Sequence, residues 1–287
     1  MPHDRIHSTW DDWLVREIEG TNPDGVAVWY LGCNGFVVRS ETTTLYIDPY
    51  FGDGDPPTIV RMIPVPMDPR DISACDAVLV THEHIDHMHP PSYGPLLDAG
   101  GTLYAPYASY ESPDYDGDMR ASADRREVVA VDDTFTVGDF LIHVRGADDV
   151  DAIEPVSYVV EHDAGTFFHA GDSKPAESFE ALGDEFDIDA GVLAFGTVGR
   201  IQDTEDDETR PTKWYMTENE VIEAANALEL DRLVPSHYDM WKGVTGDPKI
   251  LHEHAASYEY PRSIEVVRIG DRIELGAPGI VPPSTHW

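Results

Sequence analysis

Short apolar runs separated by turn residues dominate the pattern along this chain. Residues 26–31, 35–40 and 43–47 predict three strands of a meander, and the run at residues 77–80 is typical of a buried strand. Further strands are predicted at residues 102–104, 127–131, 140–144, 157–161, 166–169, 191–195 and 232–235, with a C-terminal hairpin at residues 266–269 and 272–275.

Helical periodicity occurs between these runs at fewer places. Residues 8–19 predict an amphipathic helix, residues 91–99 a helix that stops at a glycine pair, and residues 249–258 a third helix. Residues 217–228 carry the strongest signal, because Thr217 and Glu220 have the spacing of a capping box. Many strands with few helices predict an α/β protein in which sheets pack on each other and helices lie outside.

No low-complexity linker divides the chain, and the acidic segment at residues 203–208 is interpreted as a surface loop. We therefore expect one domain over residues 1–287. No apolar stretch approaches the roughly 20 residues that a transmembrane helix needs. The polar N-terminus lacks the apolar region of a secretory signal, which predicts a cytoplasmic protein.

The charge balance is strongly acidic, with 55 acidic and 19 basic residues and a formal net charge of −36. The acidic residues are spread along the whole chain rather than gathered in a tail, and lysines are few. This distribution favours a halophilic protein that works in high salt, where self-repulsion is screened. It disfavours nucleic acid and anionic membranes as partners, since both attract basic surfaces.

Only two cysteines are present, Cys33 and Cys75, so a disulfide framework is not indicated. Each stands in or just before a predicted strand. We expect both to be small buried core residues rather than ligands.

A run of potential metal ligands follows the apolar strand at residues 77–80. His82, His84, Asp86 and His87 fall within six residues, and imidazole and carboxylate groups are common metal ligands. If His82 and His84 face one ion, Asp86 and His87 can reach a second one, which would be the arrangement of a two-metal site. The alternative is a histidine-rich, solvated loop.

The spacing His-x-His-x-Asp-His after a buried strand resembles that of the metallo-β-lactamase superfamily. The resemblance implies an αββα sandwich with metals at one edge of its two sheets. It further implies that Asp172, just past a strand, is the carboxylate that bridges both ions, and that His237 is the last ligand of the second ion. The alternatives are a turn aspartate for Asp172 and an ordinary surface histidine for His237.

One position departs from the common superfamily pattern, because no histidine stands where the remaining ligand of the first ion is expected. Here the chain is similar to the L-ascorbate-6-phosphate lactonase family, in which an aspartate takes that place. By position Asp149 is the ligand, with Asp148 as the second choice and His143 or Asp151 next. This similarity also covers residues 8–10, 29–33, 48–50, 216–217 and 235–241.

The lactonase resemblance implies two divalent metal ions, with Mn²⁺ preferred and Zn²⁺ as the other option. A hydroxide held between them would attack the carbonyl of a small anionic lactone. Asp86 and Asp172 are the expected catalytic residues, Asp86 by orienting the nucleophile and moving a proton. Asp48 is expected to support a ligand imidazole, unless it only ends a strand.

The expected partner is a small anionic substrate, for which a phosphorylated sugar lactone is the example, and a homo-oligomer is left open. Such a substrate needs cations beside it; the candidates are Arg200, Arg210, Lys213 and Lys242. Two further hypotheses are a hydrolase of the same fold that cleaves a phosphodiester or an amide, and a metal-binding protein without catalysis.

Overall fold

Two mixed β-sheets pack face to face, and helices cover the outer face of each. The computed structural model describes residues 6–57, 59–111, 124–149, 151–196, 199–202, 209–277 and 279–281, without the side chains of residues 199–202 and 209–212. This is the αββα arrangement that the resemblance implies, so the predicted fold is confirmed.

The described strands, in chain order, are β1 (Ala27–Gly32), β2 (Gly35–Arg39), β3 (Thr44–Ile47), β4 (Gly54–Asp55), β5 (Ile59–Val60), β6 (Ala77–Leu79), β7 (Thr102–Pro106), β8 (Arg126–Val129), β9 (Thr134–Val137), β10 (Phe140–Gly146), β11 (Val156–His162), β12 (Gly165–His169), β13 (Ala190–Ala194), β14 (Gly199–Gln202), β15 (Thr209–Thr212), β16 (Arg232–Ser236), β17 (Ser263–Ile264), β18 (Arg272–Glu274) and β19 (Ile280–Val281). The described helices are α1 (Trp13–Gly20), α2 (Pro90–Asp98), α3 (Tyr107–Glu111), α4 (Phe179–Glu185), α5 (Glu218–Ala227) and α6 (Leu251–Ala255).

The first sheet has the strand order β19-β18-β1-β2-β3-β6-β7-β8, and the second has the order β17-β16-β13-β12-β11-β10-β9. β1, β2 and β3 form the predicted antiparallel meander. β6 then lies parallel to β3, and β12, β13 and β16 run parallel to one another. The hairpins β4–β5 and β14–β15 stand outside the two large sheets.

Strand β1 shows how the layers are built, because it is buried along its whole length. Trp29 and Leu31 pack beneath the helices on the outer face of the sheet. Val28 and Tyr30 point the other way and pack against the second sheet. Successive strand residues face opposite sides, and a strand covered on both sides therefore reads as a continuous apolar run.

Helices α1 and α2 cover the first sheet, and α4, α5 and α6 cover the second. Helix α5 begins with the predicted capping box between Thr217 and Glu220. Helix α1 begins at Trp13, later than predicted, because Asp11 has a positive φ of 51° that a continuous helix excludes. Among the residues that the structure describes, no helix has both the length and the apolar character needed to cross a membrane.

The predicted hairpin at the C-terminus is wrong in its first strand. Residues 265–268 are irregular and cross from β17 in the second sheet to β18 in the first. Val267 is buried between the sheets, so its apolar character comes from that crossing. β18 pairs with β1 and β19 instead. Helix α6 is also shorter than predicted and follows a 3-10 turn at Pro248–Ile250.

Candidate metal centre

Three predicted ligands form a first cluster, which consists of His82, His84 and Asp149. The Nε2 atom of His82 lies 2.9 Å from Nδ1 of His84. The Oδ2 atom of Asp149 lies 3.6 Å from His82 Nε2 and 3.8 Å from His84 Nδ1. His82 and Asp149 are buried, whereas the His84 side chain keeps 28% of its surface exposed. The first cluster can therefore be reached from solvent on the His84 side.

Four further predicted ligands form a second cluster, which consists of Asp86, His87, Asp172 and His237 and is buried throughout. Asp172 Oδ2 lies 3.3 Å from His87 Nε2 and 3.5 Å from His237 Nε2. Asp86 Oδ2 lies 3.1 Å from His237 Nε2. The rings of His82 and His87 have centroids 4.0 Å apart, so the two clusters are direct neighbours.

Residues of both clusters stand where strands end. His82 follows β6, Asp172 follows β12, and His237 is the first residue after β16. His237 has a φ of 66°, and the nearby Cys33 and Asp48 have φ values of 60° and 44°. Left-handed backbone is uncommon for residues other than glycine, and its concentration here indicates that the surrounding structure holds these turns in place.

Asp48 and Thr81 orient two of the imidazoles. Asp48 Oδ2 lies 2.8 Å from His87 Nδ1 and accepts a 2.7 Å hydrogen bond from the Thr81 hydroxyl. Because that hydroxyl donates to Asp48, it accepts from Nδ1 of His82 at 2.9 Å. Both rings therefore carry a proton on Nδ1 and turn Nε2 towards the other residues of the clusters. The contact predicted for Asp48 is confirmed, although Asp48 also ends β3.

Asn34 connects the second cluster to strands of both sheets. Its Nδ2 donates to Asp172 Oδ1 at 3.0 Å, and its Oδ1 accepts from the Ser236 hydroxyl at 2.7 Å. The second oxygen of Asp172 is left to face His87 and His237. On the other side of the cluster, the ring of Tyr215 stacks on His237 with centroids 4.2 Å apart.

The electrostatics of the two clusters differ. Burial and the neighbouring His87 lower the pKa of His82 to about 3, so its imidazole is neutral. Burial and the nearby Asp172 raise the pKa of Asp149 to about 6. Burial alone would lower the pKa of His87, but Asp172 and Asp48 together raise it well above its ordinary value. In the second cluster the carboxylates thus favour a positively charged imidazole at His87.

Both clusters fit divalent cations. His87 Nε2 and Asp149 Oδ2 are buried and have no hydrogen-bond partner within the described part of the chain. Buried polar atoms normally have partners. A metal ion in each cluster would give each of these two atoms its partner. The donors are imidazoles and carboxylates, which Zn²⁺ and Mn²⁺ accept. The side chains of the second cluster would hold one ion and those of the first cluster another.

The other candidates for the position of Asp149 lie away from His82 and His84. Asp148 is exposed, and within the described residues it is bonded through its main chain, by the Ser173 hydroxyl and the Lys174 amide. His143 pairs with Glu161, and Asp151 is exposed. Asp149 is thus the acidic residue of this segment that the structure brings to His82 and His84. Its role as a ligand stays a prediction.

The four basic residues predicted to hold an anionic substrate differ in their contacts. The Lys213 ammonium lies 2.6 Å from a carboxylate oxygen of Glu220, which already neutralises it. Lys242 is exposed, and its main-chain amide donates to Val60. The backbone of Arg200 and Arg210 lies in β14 and β15, but both side chains are outside the described part of the structure.

The sequence did not point to Cys33 or Asn34 as residues of this site. Cys33 is fully buried, as predicted, but its Sγ lies 3.5 Å from both Asp86 Oδ2 and His237 Nε2. Burial raises the pKa of the Cys33 thiol to about 12, so the thiol keeps its proton at neutral pH. The available signal was the Gly-Cys-Asn-Gly turn between two strands, because such turns place side chains at a sheet edge.

Comparison with known proteins agrees with this geometry. A family model described as a beta-lactamase superfamily domain matches residues 43–238, which is more than half of the chain. The chain belongs to the metallo-β-lactamase superfamily. Among curated proteins, the probable L-ascorbate-6-phosphate lactonase UlaG of Escherichia fergusonii is similar, with 25% identity over 284 residues, 84% of this chain and 77% of its own length.

Solved structures give the same fold for this superfamily member. Igni18, a metallo hydrolase from the archaeon Ignicoccus hospitalis, is similar with a TM-score of 0.64 and 16% identity, over 86% of this chain and 97% of its own. An isothiocyanate hydrolase from Delia radicum gut bacteria is similar with a TM-score of 0.64 and 17% identity, over 88% and 100%. Family, fold and buried His/Asp clusters together support a metal-dependent hydrolase.

Proposed function

We propose that this superfamily member is a lactonase that opens small anionic cyclic esters with two divalent metal ions. The observation that carries the proposal is Asp149 beside His82 and His84, where an aspartate completes the first cluster. The similarity to the UlaG lactonases over 84% of the chain supports the same assignment. The phosphorylated sugar lactone named for those relatives is the model substrate.

Asp86 and Asp172 would have different roles in the hydrolysis. Bound cations would supply the Lewis acidity that activates water and polarises the ester carbonyl. Asp86 is the residue that we assign to orient the attacking water and to carry a proton towards the leaving alkoxide. Its carboxylate lies between His237 at 3.1 Å and His87 at 3.8 Å. Asp172, fixed by Asn34, holds its second oxygen between the same two imidazoles.

The donor set favours Mn²⁺ as the physiological metal, with Zn²⁺ as the other candidate. Three carboxylates and four imidazoles make up the two clusters. Carboxylate oxygens suit harder ions such as Mn²⁺, whereas imidazole binds either ion. The partly exposed His84 leaves the first cluster open on one side, which would give an ester carbonyl a route of approach.

An anionic substrate must approach a chain with a formal net charge of −36. Local cations are therefore needed to hold it. We assign this role to Lys242 together with Arg200 and Arg210, because Lys213 is already paired with Glu220. We further propose that the protein is halophilic and that dissolved salt screens the remaining repulsion.

The test measures metal content and substrate preference together. Protein produced with supplementary Mn²⁺ should hold close to two metal ions per chain by elemental analysis. In molar KCl it should hydrolyse sugar lactones, phosphorylated ones best, and a chelator should abolish the activity. Lactones, phosphodiesters, amides and lactams are assayed side by side. Preference for another bond would overturn the lactonase assignment, and a metal content near zero would overturn the metal-dependent mechanism.

A further inference from the structure

Cys33 is held against the second cluster by its main chain as well as by its side chain. Its carbonyl oxygen accepts hydrogen bonds from the Tyr30 hydroxyl and from the main-chain amide of His237, both at 3.1 Å. The turn that carries the thiol is therefore bonded directly to the residue that carries the imidazole. Cys33 and His237 both have left-handed backbone, and their side chains meet, with Sγ 3.5 Å from Nε2.

Three different donor atoms meet there. Cys33 Sγ lies 3.5 Å from His237 Nε2 and 3.5 Å from Asp86 Oδ2, and those two atoms are 3.1 Å apart. In a tetrahedral zinc site, with Zn–S about 2.3 Å and Zn–N about 2.0 Å, sulfur and nitrogen are roughly 3.5 Å apart. The three atoms therefore already have the separations of one face of a tetrahedral metal site.

We propose that Cys33, Asp86 and His237 form a binding site for thiophilic divalent cations such as Zn²⁺, Co²⁺ and Cd²⁺. Such an ion binds at the Cys33 side of the second cluster, whereas Mn²⁺ uses the oxygen and nitrogen donors of that cluster. Thiolate ligands select soft or borderline ions over Mn²⁺. This inference rests on the metal-binding part of the proposed function and adds a sulfur ligand to it.

Binding at this site exchanges one bond for another. The S–H bond of Cys33 breaks as the sulfur–metal bond forms, and the proton passes to solvent. The donor atoms around the ion in the second cluster would therefore depend on which metal is bound. Zn²⁺ bound through Cys33 would have a different set of donors from Mn²⁺, so we expect lactone hydrolysis to be lower with Zn²⁺ than with Mn²⁺.

The experiment follows Co²⁺ and Cd²⁺ binding to the metal-free full-length protein by near-ultraviolet absorption. Thiolate–metal charge transfer reports a sulfur ligand directly, without any activity assay. We expect the band in the native protein and in Cys75→Ala, the matched control, because Cys75 is buried away from the clusters in the helix-covered core of the first sheet. Cys33→Ala and Cys33→Ser should both lack the band.

Affinities give a second measurement. Cys33→Ser should bind Zn²⁺ at least about tenfold more weakly at the second cluster, since losing even a supporting residue of a metal site costs 10- to 100-fold. Its Mn²⁺ affinity should stay within about threefold, which also shows that the variant is folded. Two bound Co²⁺ ions without a charge-transfer band, or a band that survives in Cys33→Ala, would overturn the sulfur ligand while leaving the lactonase proposal standing. Failure to bind any metal would overturn both.

Discussion

Replacement of Asp149 by alanine should separate the first metal position from the second. The carboxylate is one of three donors in the first cluster, so its loss leaves only His82 and His84. Removing a residue that only supports a ligand weakens metal binding 10- to 100-fold. Direct loss of a ligand should therefore cost at least about 100-fold, or about 2.8 kcal/mol, and hydrolysis should fall with it.

Asp148→Ala is the matched control. The neighbouring side chain is exposed, and its main-chain bonds to Ser173 and Lys174 do not depend on the carboxylate. We expect this variant to keep two metal ions and most of its activity, with a stability change within about 0.5 kcal/mol. Elemental analysis and Mn²⁺ titration of both variants give the stoichiometry and the affinity of each position.

In metal-free protein, prepared with a chelator, Asp149→Ala should raise the free energy of unfolding instead of weakening the protein. Asp149 Oδ2 is then a buried oxygen without a hydrogen-bond partner among the described residues, and burial and Asp172 raise the pKa of Asp149. Asp149→Ala should therefore stabilise the chelated protein by roughly 1 kcal/mol in urea unfolding, the cost of a buried unsatisfied group. If Asp148→Ala loses the metal instead, or if neither variant does, the assignment of Asp149 is wrong.

Three further outcomes are expected. The melting temperature should climb from dilute buffer to molar KCl, by about 2–4 °C for each 1 kcal/mol of relieved repulsion. Glu83→Ala should weaken the first metal about tenfold, because Glu83 accepts from the Ile153 amide at 2.8 Å and so holds the segment that follows Asp149. Asp48→Ala should weaken the second metal 10- to 100-fold, because His87 loses the acceptor at its Nδ1.

Each of these expectations can be contradicted by a specific result. A melting curve that does not change with salt would contradict the halophilic assignment. Glu83→Gln keeps an oxygen acceptor for the Ile153 amide and should bind metal within about threefold of the native protein; equal losses in both variants would rule out the loop contact as the cause. Unchanged second-site affinity in Asp48→Ala, measured by titration calorimetry, would refute the role of Asp48.

The sequence was sufficient to locate the residues of the two clusters because they are adjacent to strands with a clear apolar pattern. Residues 77–80 fix the start of the ligand run, and the capping box at Thr217 fixes α5. Asp149 required the family resemblance, since nothing in the local pattern distinguishes it from Asp148. Their difference in burial arises only when β10 and β11 pair and the segment between them packs beside His82.

The contacts that the sequence could not give are those between distant segments. Cys33 is as apolar in context as Cys75, and only the packing of the two sheets brings its sulfur to Asp86 and His237. The C-terminal prediction failed for a related reason. Val267 is apolar because residues 265–268 cross between the sheets, and local periodicity does not distinguish such a crossing from a strand.

The bonds from Asn34 to Asp172 and Ser236 have a consequence for how the molecule matures during synthesis. They join positions 138 and 202 residues apart, and His237 follows Ser236 directly. The donors of the first cluster have all been synthesised once Asp149 has been added, whereas the second cluster waits for a further ~90 residues, or about 5–20 s of translation. A ribosome-bound chain that is still short of His237 therefore contains every donor of the first cluster but not every donor of the second.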